Sequence, residues 1–258
     1  MIAADLPARP RILAALIIRE TLARFGTARG GYLWAVLEPL GGAVLLAVAF
    51  SFIVQSPPLG DSFLFFYATG LIPFLMYNAV AAGAMNAITQ NRGLLAYPVI
   101  GALDAILARA LLDALTHVVI AVLLIFGLTV ALNLPLPLVP GAFAASLGLA
   151  AMLGLGIGTF NALIAGFFPA WRQIWSVLNR PLFIVSGILF IPDSAPEGLA
   201  DAVWWNPVLH VVGAMRAAFF GARQSDPSGL AYTLAVSAAL FAVGGGLIRR
   251  HQGRLIQG

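Results

Sequence analysis

The chain has no cysteine and no lysine among its 258 residues, and only 9% of them are charged. Each shortage removes a class of function. Without cysteine there are no disulfides and no thiolate metal sites. Without lysine there is no P-loop, whose lysine must reach the nucleotide phosphates, so this polypeptide alone does not hydrolyse ATP. A soluble domain of this length carries about 25% charged residues. Here 61% of the residues are hydrophobic and the mean hydropathy is +0.96, so most of the surface must face lipid. Histidine is scarce too. His117, His210 and His251 are far apart, which leaves no clustered ligands for a metal. No Gly-x-Ser-x-Gly elbow is present, and a serine–histidine membrane protease would have to be assembled from distant residues. No pattern points to a catalytic residue.

What the chain has is arginine and long apolar runs. A span needs about 20 apolar residues to cross roughly 30 Å of hydrocarbon. Six runs qualify: 33–53, 63–86, 105–132, 139–167, 174–191 and 229–248. Proline- and polar-rich turns separate them, as at 56–61, 133–137 and 168–172. With no internal repeat or linker, residues 1–258 read as one all-α membrane domain. All 14 basic residues are arginines. With the N-terminus in the cytoplasm, Arg9, Arg11, Arg19, Arg24, Arg29, Arg92, Arg109, Arg172, Arg180, Arg249, Arg250 and Arg254 lie inside, and Arg216 and Arg223 outside. That asymmetry predicts cytoplasmic termini. It also accounts for the net charge of +4 without nucleic acid.

Residues 1–31 lead into the first span. No small-residue cleavage site follows a short apolar core, so no cleavable signal is expected. Residues 11–25 alternate Ile12, Leu13, Leu16, Ile17 and Ala23 with Arg11, Arg19, Glu20 and Arg24, the pattern of an amphipathic helix lying in the membrane interface. Phe25 closes it, and Tyr32 and Trp34 fall at interfacial depth. Segment 203–220 is long enough to cross, but it carries Asn206, Pro207, His210 and Arg216. Crossing would also move the Arg249–Arg250 tail outside. It is therefore expected to be re-entrant or interfacial within an outer region, 195–226, with a seventh span as the alternative.

Several side chains are candidates for chemistry. Arg109, Asp113 and His117 fall at i, i+4 and i+8, one face of a helix. They form either a polar stripe along a translocation path or, as the favoured reading, an Arg109–Asp113 pair with His117 bonded to a neighbouring helix. Glu38, followed by Pro39, pairs with an arginine of another helix or subunit, or stays hydrated near the headgroups. The loop Asn91, Arg92, Gly93, Leu94, Leu95, Ala96, Tyr97, Pro98 is moderately apolar and too short to span. Its apolar side chains need burial, either in a cleft on a cytoplasmic partner or against the chain's own N-terminal helix. Gly154 and Gly158 form a Gly-x-x-x-Gly pair whose default role is intramolecular helix packing. Trp171, Trp175, Trp204 and Trp205 read as interfacial anchors, with sugar stacking as the alternative for the last two.

The stretch from Arg19-Glu20 through Arg24-Phe25-Gly26 to Gly31-Tyr32-Leu33-Trp34-Ala35-Val36-Leu37-Glu38-Pro39 resembles the membrane subunit of type-2 ABC polysaccharide exporters, especially the capsular polysaccharide branch. Asn91 to Val99 followed by Ile106 to Arg109, and Trp205 to His210 with Arg216 and Phe219-Phe220, agree with it. One departure is that the family often has lysines in the N-terminal helix where this chain has arginines only. The resemblance implies a homodimeric permease of the bacterial inner membrane with six spans per subunit and re-entrant helices before the last span. It implies two copies of a nucleotide-binding ATPase subunit, which carry the ATP and magnesium, so that this chain itself holds no cofactor. Residues 91–98 would be the coupling helix seated on that ATPase, and Trp204, Trp205, Asn206, Pro207, His210 and Arg216 an outer gate. The cargo would be a lipid-linked capsular polysaccharide, handed to a periplasmic or outer-membrane export partner. O-antigen and teichoic acid exporters share this architecture. An ion-coupled transporter without an ATPase is the alternative from another class.

Overall fold

The computed structural model describes residues 9–25, 31–52, 56–97, 100–134, 138–191, 198–221 and 224–257. All regular structure among them is helical: α1 Arg9–Phe25, α2 Gly31–Ser51, α3 Phe63–Gln90, α4 Arg92–Leu95, α5 Ala102–Ala131, α6 Pro140–Phe167, α7 Trp171–Val185, α8 Leu199–Trp204, α9 Pro207–Phe220 and α10 Pro227–Gln257. Four of these, α3, α5, α6 and α10, are long and apolar enough to cross a membrane. Their 28 to 31 residues correspond to about 42–46 Å of helix.

Local chemistry sets where they start. Ser62 Oγ accepts from Phe65 N at 3.3 Å and caps α3. The Asp104 carboxylate accepts from Gly101 N at 2.9 Å and opens α5. Pro140 supplies the pre-set first turn of α6. Asp226 Oδ1 takes Ser228 N at 2.9 Å at the start of α10.

The bundle is organised around α6. A Cβ placed on Gly154 would lie 2.8 Å from Tyr77 O, and one on Gly158 would lie 2.6 Å from Ala81 O, so α3 packs backbone-close on that face. On the opposite face a Cβ on Gly156 would lie 2.5 Å from Ser237 O, and one on Gly244 of α10 would lie 3.0 Å from the Phe160 backbone. The Gly-x-x-x-Gly pair thus serves intramolecular packing. The principal apolar core joins α3, α5, α6 and α9. A second cluster, with Ala84, Leu95, Leu103, Leu163, Ile248 and Leu255, closes one end.

One stretch differs from expectation, and another takes a form the expectation left open. The run 174–191 is a helix only as far as Val185, with Pro181 inside it, and Ser186 to Phe190 continue as turns and bends. The segment 203–220 is not one rod lying on the surface. It breaks at Trp205-Asn206, where Asn206 Oδ1 accepts from Val208 N at 3.1 Å and caps α9. α9 is buried within the bundle, antiparallel to α6: Ser146 Oγ donates to Val211 O at 2.8 Å, and Val139 N to Ala218 O at 2.9 Å. Its 14 residues extend about 21 Å, too short to cross alone.

Candidate functional site

One end of the bundle collects α1, the end of α3, α4, the starts of α5 and α7, and the ends of α6 and α10. Arg19, Arg92, Arg109, Arg172, Arg249, Arg250 and Arg254 lie on these elements. Here a polar network joins three helices. Arg109 Nε contacts Asp113 Oδ2 at 2.9 Å, and Arg109 Nη1 contacts Glu20 Oε2 at 3.0 Å and Gln90 Oε1 at 3.2 Å. Asn91 Oδ1 accepts from Arg19 Nη1 at 2.8 Å, while its Nδ2 donates to Glu20 Oε1 at 3.0 Å and to Ala87 O at 3.1 Å. Asp113 and Asn91 are buried, and a Cβ on Gly83 would collide with the Asp113 carboxylate, so α3 carries glycine where that pair sits. The i, i+4 spacing finds the Arg109–Asp113 pair. Glu20 as the bond from α1 to both α5 and Asn91 was missed, because a sequence does not place an interfacial helix against the bundle. His117 stands on the same face but turns back on its own helix, Nδ1 lying 2.9 Å from Asp113 O.

α4 is the single turn leading out of this network. Leu95 is 4% exposed and packs into the end cluster of its own chain, so of the two expected ways of burying it the covering is intramolecular, by α5, α6 and α10. Leu94 is half-buried. Tyr97 is 64% exposed, and Arg92 and Gly93 are exposed beside it, so these three form the free tip of the loop. Pro98 lies outside the described residues, as do Arg29 and Arg223 and the side chains of Arg24, Phe25, Tyr32 and Trp34.

Midway along α3, Asn78 lies between two cavities. One of about 310 Å³ is lined by Glu38, Pro39, Asn78, Thr116 and His117, with Leu75, Ala79 and Ile120. The other, about 360 Å³, is lined by Phe74, Asn78, Ser176, Asn179, Arg180 and Phe183. Asn179 Nδ2 donates to Asn78 Oδ1, and Tyr77 Oη donates to Asn179 Oδ1 at 3.3 Å, tying α7 to α3. Neither asparagine was singled out from the sequence, although an amide within an apolar run is itself the signal to follow.

The opposite end is held by buried polar groups and aromatic rings. Arg216 is fully buried. Its Nη1 donates to Phe190 O at 3.0 Å, its Nη2 to Ile188 O at 2.9 Å, and its guanidinium lies 4.1 Å from the centre of the Phe66 ring. It therefore fastens the 186–191 turns to α9. Trp204 donates to Asp226 Oδ2 at 3.0 Å, His210 Nε2 lies 2.8 Å from Trp204 O, and Asn206 Nδ2 donates to Val185 O at 3.2 Å. Hydrogen bonds from Ser228 and Trp204 hold the Asp226 carboxyl below the usual aspartate range. Trp205 is 66% exposed, its carbonyl accepting from Tyr232 Oη at 3.0 Å. Of the six residues expected at an outer gate, Trp204, Trp205, Asn206, Pro207 and His210 lie together, with Pro207 O accepting from Thr233 of α10 at 3.2 Å, while Arg216 stands further along α9 against Ile188, Phe190 and Phe66. At the arginine-rich end Trp171 Nε1 donates to Asn161 Oδ1 at 3.0 Å, and Trp175 lies beside it. Among the described residues no three His, Asp or Glu side chains group as metal ligands.

Residues 12–220 match the profile of the ABC-2 type transporter family. The polysialic acid transport protein KpsM of Escherichia coli is 32% identical over 247 residues, covering 92% of each chain. The capsule polysaccharide export inner-membrane protein CtrC of Neisseria meningitidis is 25% identical over 240 residues, covering 93% of this chain and 91% of the relative. The capsule polysaccharide export inner-membrane protein BexB of Haemophilus influenzae is 25% identical over 235 residues, covering 91% and 88%.

Proposed function

Because this chain belongs to the ABC-2 type transporter family, we propose that it is the inner-membrane permease subunit of a capsule polysaccharide exporter, driven by ATP that a separate subunit hydrolyses. The single observation that carries this is end-to-end similarity to permeases of capsule export, over 92% of both chains in the case of KpsM. The missing P-loop lysine fits the same division of labour.

The working unit has two copies of this chain and two ATPase subunits, which hold the ATP and magnesium. Gathering seven arginines at one end supports placing that end, with both termini, in the cytoplasm. In that orientation the Arg92–Gly93–Tyr97 tip faces the ATPase, and its exposure supports a docking role. α2, and α7 together with the turns that continue it to residue 191, complete six crossings with α3, α5, α6 and α10. α8 and α9 dip in and return at the periplasmic side, an arrangement supported by the antiparallel run of α9 against α6. The cargo is a lipid-linked capsular polysaccharide, passed to a periplasmic or outer-membrane partner.

The test is genetic and chemical. Cells lacking this chain should retain polymer in the cytoplasm and lose it from the surface, and the restored gene should return it. Normal surface polymer in the deletion strain would overturn the assignment.

A further inference from the structure

Two opposite charges stand on the open flank of the bundle with no partner among the described residues. Glu38 of α2 lines the cavity on one side of Asn78, and Arg180 of α7 lines the cavity on the other. Sharing Asn78 places them at one depth, and Asn78 is the sixteenth of the 28 residues of α3, close to its midpoint. Both side chains are exposed, and neither makes a hydrogen bond or ion pair among the described residues. A bare charge at that depth is expensive in hydrocarbon, so each must face a cavity or an opposite charge.

The surroundings say which. α7 buries none of its residues within the chain: Arg180 shares its side of the helix with Ser176 and Asn179, and Ile174, Val177, Leu178 and Ile184 are exposed on the rest of it. α2 exposes Leu37, Val44 and Leu45 around Glu38. Each helix thus carries one exposed charge beside a partly polar cavity on an otherwise apolar flank, and the two charges are opposite in sign. A two-fold interface uses the same patch on both subunits, so α2 of one copy against α7 of the other makes the match twice.

We infer that the seam between two copies of this chain is stapled at mid-membrane depth by two symmetry-related Glu38–Arg180 ion pairs. The inference presupposes the membrane-spanning permease and goes beyond it, by naming the residues that join the copies. The pair is made in low dielectric, where a geometrically sound match offsets desolvation and a mismatch leaves a buried charge exposed to lipid.

The chain has no cysteine, so the test starts from a clean background. Two differently tagged full-length copies, one Glu38→Cys and the other Arg180→Cys, are co-expressed, and their membranes are treated with a short bis-maleimide. A cross-linked product carrying both tags is between subunits by construction. A Leu123→Cys copy, exposed on α5, serves as the unmatched control. In parallel, Glu38→Arg and Arg180→Glu are each expected to lower the yield of purified dimer about tenfold, in keeping with breaking a desolvated pair. The double reversal should recover it. Rescue together with the two-tag product supports the staple. A double reversal no better than the singles overturns it, as does the absence of a two-tag product from cysteines that react with a monofunctional maleimide. Export of surface polymer is scored separately, so loss of the staple leaves the permease assignment standing.

Discussion

Where α6 meets α3 and α10, the contacts are backbone and small side chains, admitted by Gly154, Gly156, Gly158 and Gly244. Where α1 meets α3 and α5, the joining is done by Arg19, Glu20, Gln90, Asn91, Arg109 and Asp113. In lipid there is no hydrophobic drive between helices, so close packing supplies the first kind of seam and polar bonding the second. The glycine seam has one good arrangement, because any shift opens a void or drives backbone into backbone. The polar seam consists of discrete bonds that can part and re-form. It also lies next to the Tyr97 tip, where work from an ATPase would enter. Under the proposed function, the difference suits the glycine seam to holding shape and the polar seam to passing motion.

The most direct way to break the comparison is to overpack the glycine seam. Gly158→Leu drives a side chain into Ala81 and Ala84 and should cost about 3 kcal/mol, read as a lowered unfolding temperature in detergent. Gly148→Leu, on the same helix but with open space around it, should cost nothing measurable. Next comes the polar seam. Glu20→Gln removes the charge that bonds Arg109 while keeping an amide, and should cost about 1 kcal/mol. The loss should be local, seen as faster proteolysis within α1 while the unfolding temperature of the bundle holds. Tyr97→Glu sharpens the contrast further. It should leave stability within about 0.5 kcal/mol of the parent and abolish stimulation of the ATPase, measured in the reconstituted complex. Unchanged stimulation would remove the tip from the coupling path.

The smallest effect is expected at the opposite end. Asp226 has a depressed carboxyl pKa, so its contribution is present at neutral pH and is lost as pH falls through that lowered value. Unfolding measured below about pH 4, near the ordinary aspartate value, should show a slight acid loss that Asp226→Asn removes. The effect is small because the group is mostly hydrated.

How much of this was legible in the sequence follows the same division. The long runs at 63–86, 105–132 and 139–167 return as α3, α5 and α6 within a few residues, because a lipid-crossing helix leaves a length of apolar sequence that nothing else requires. The Arg109–Asp113 pair was legible because it is local, one turn of one helix. Which covering Leu95 takes was not legible, because it depends on Leu103, Leu163, Ile248 and Leu255, which are distant in sequence. The way α9 is buried was not legible for a related reason. Its polar residues argue against lipid, but only the carbonyls of Ile188 and Phe190 explain how Arg216 is accommodated inside the bundle. Asn206-Pro207 carries the break between α8 and α9 in local signals, an amide cap and a proline at the first turn, although from the sequence alone the pair reads only as unsuited to lipid.

The measurement that bears most directly on the central claim is purification of this chain from its own cells in mild detergent, with mass spectrometry of what accompanies it. A permease powered from outside predicts a co-purifying soluble subunit with a P-loop. Recovery of the chain alone, from a preparation in which other membrane complexes survive, would contradict the account.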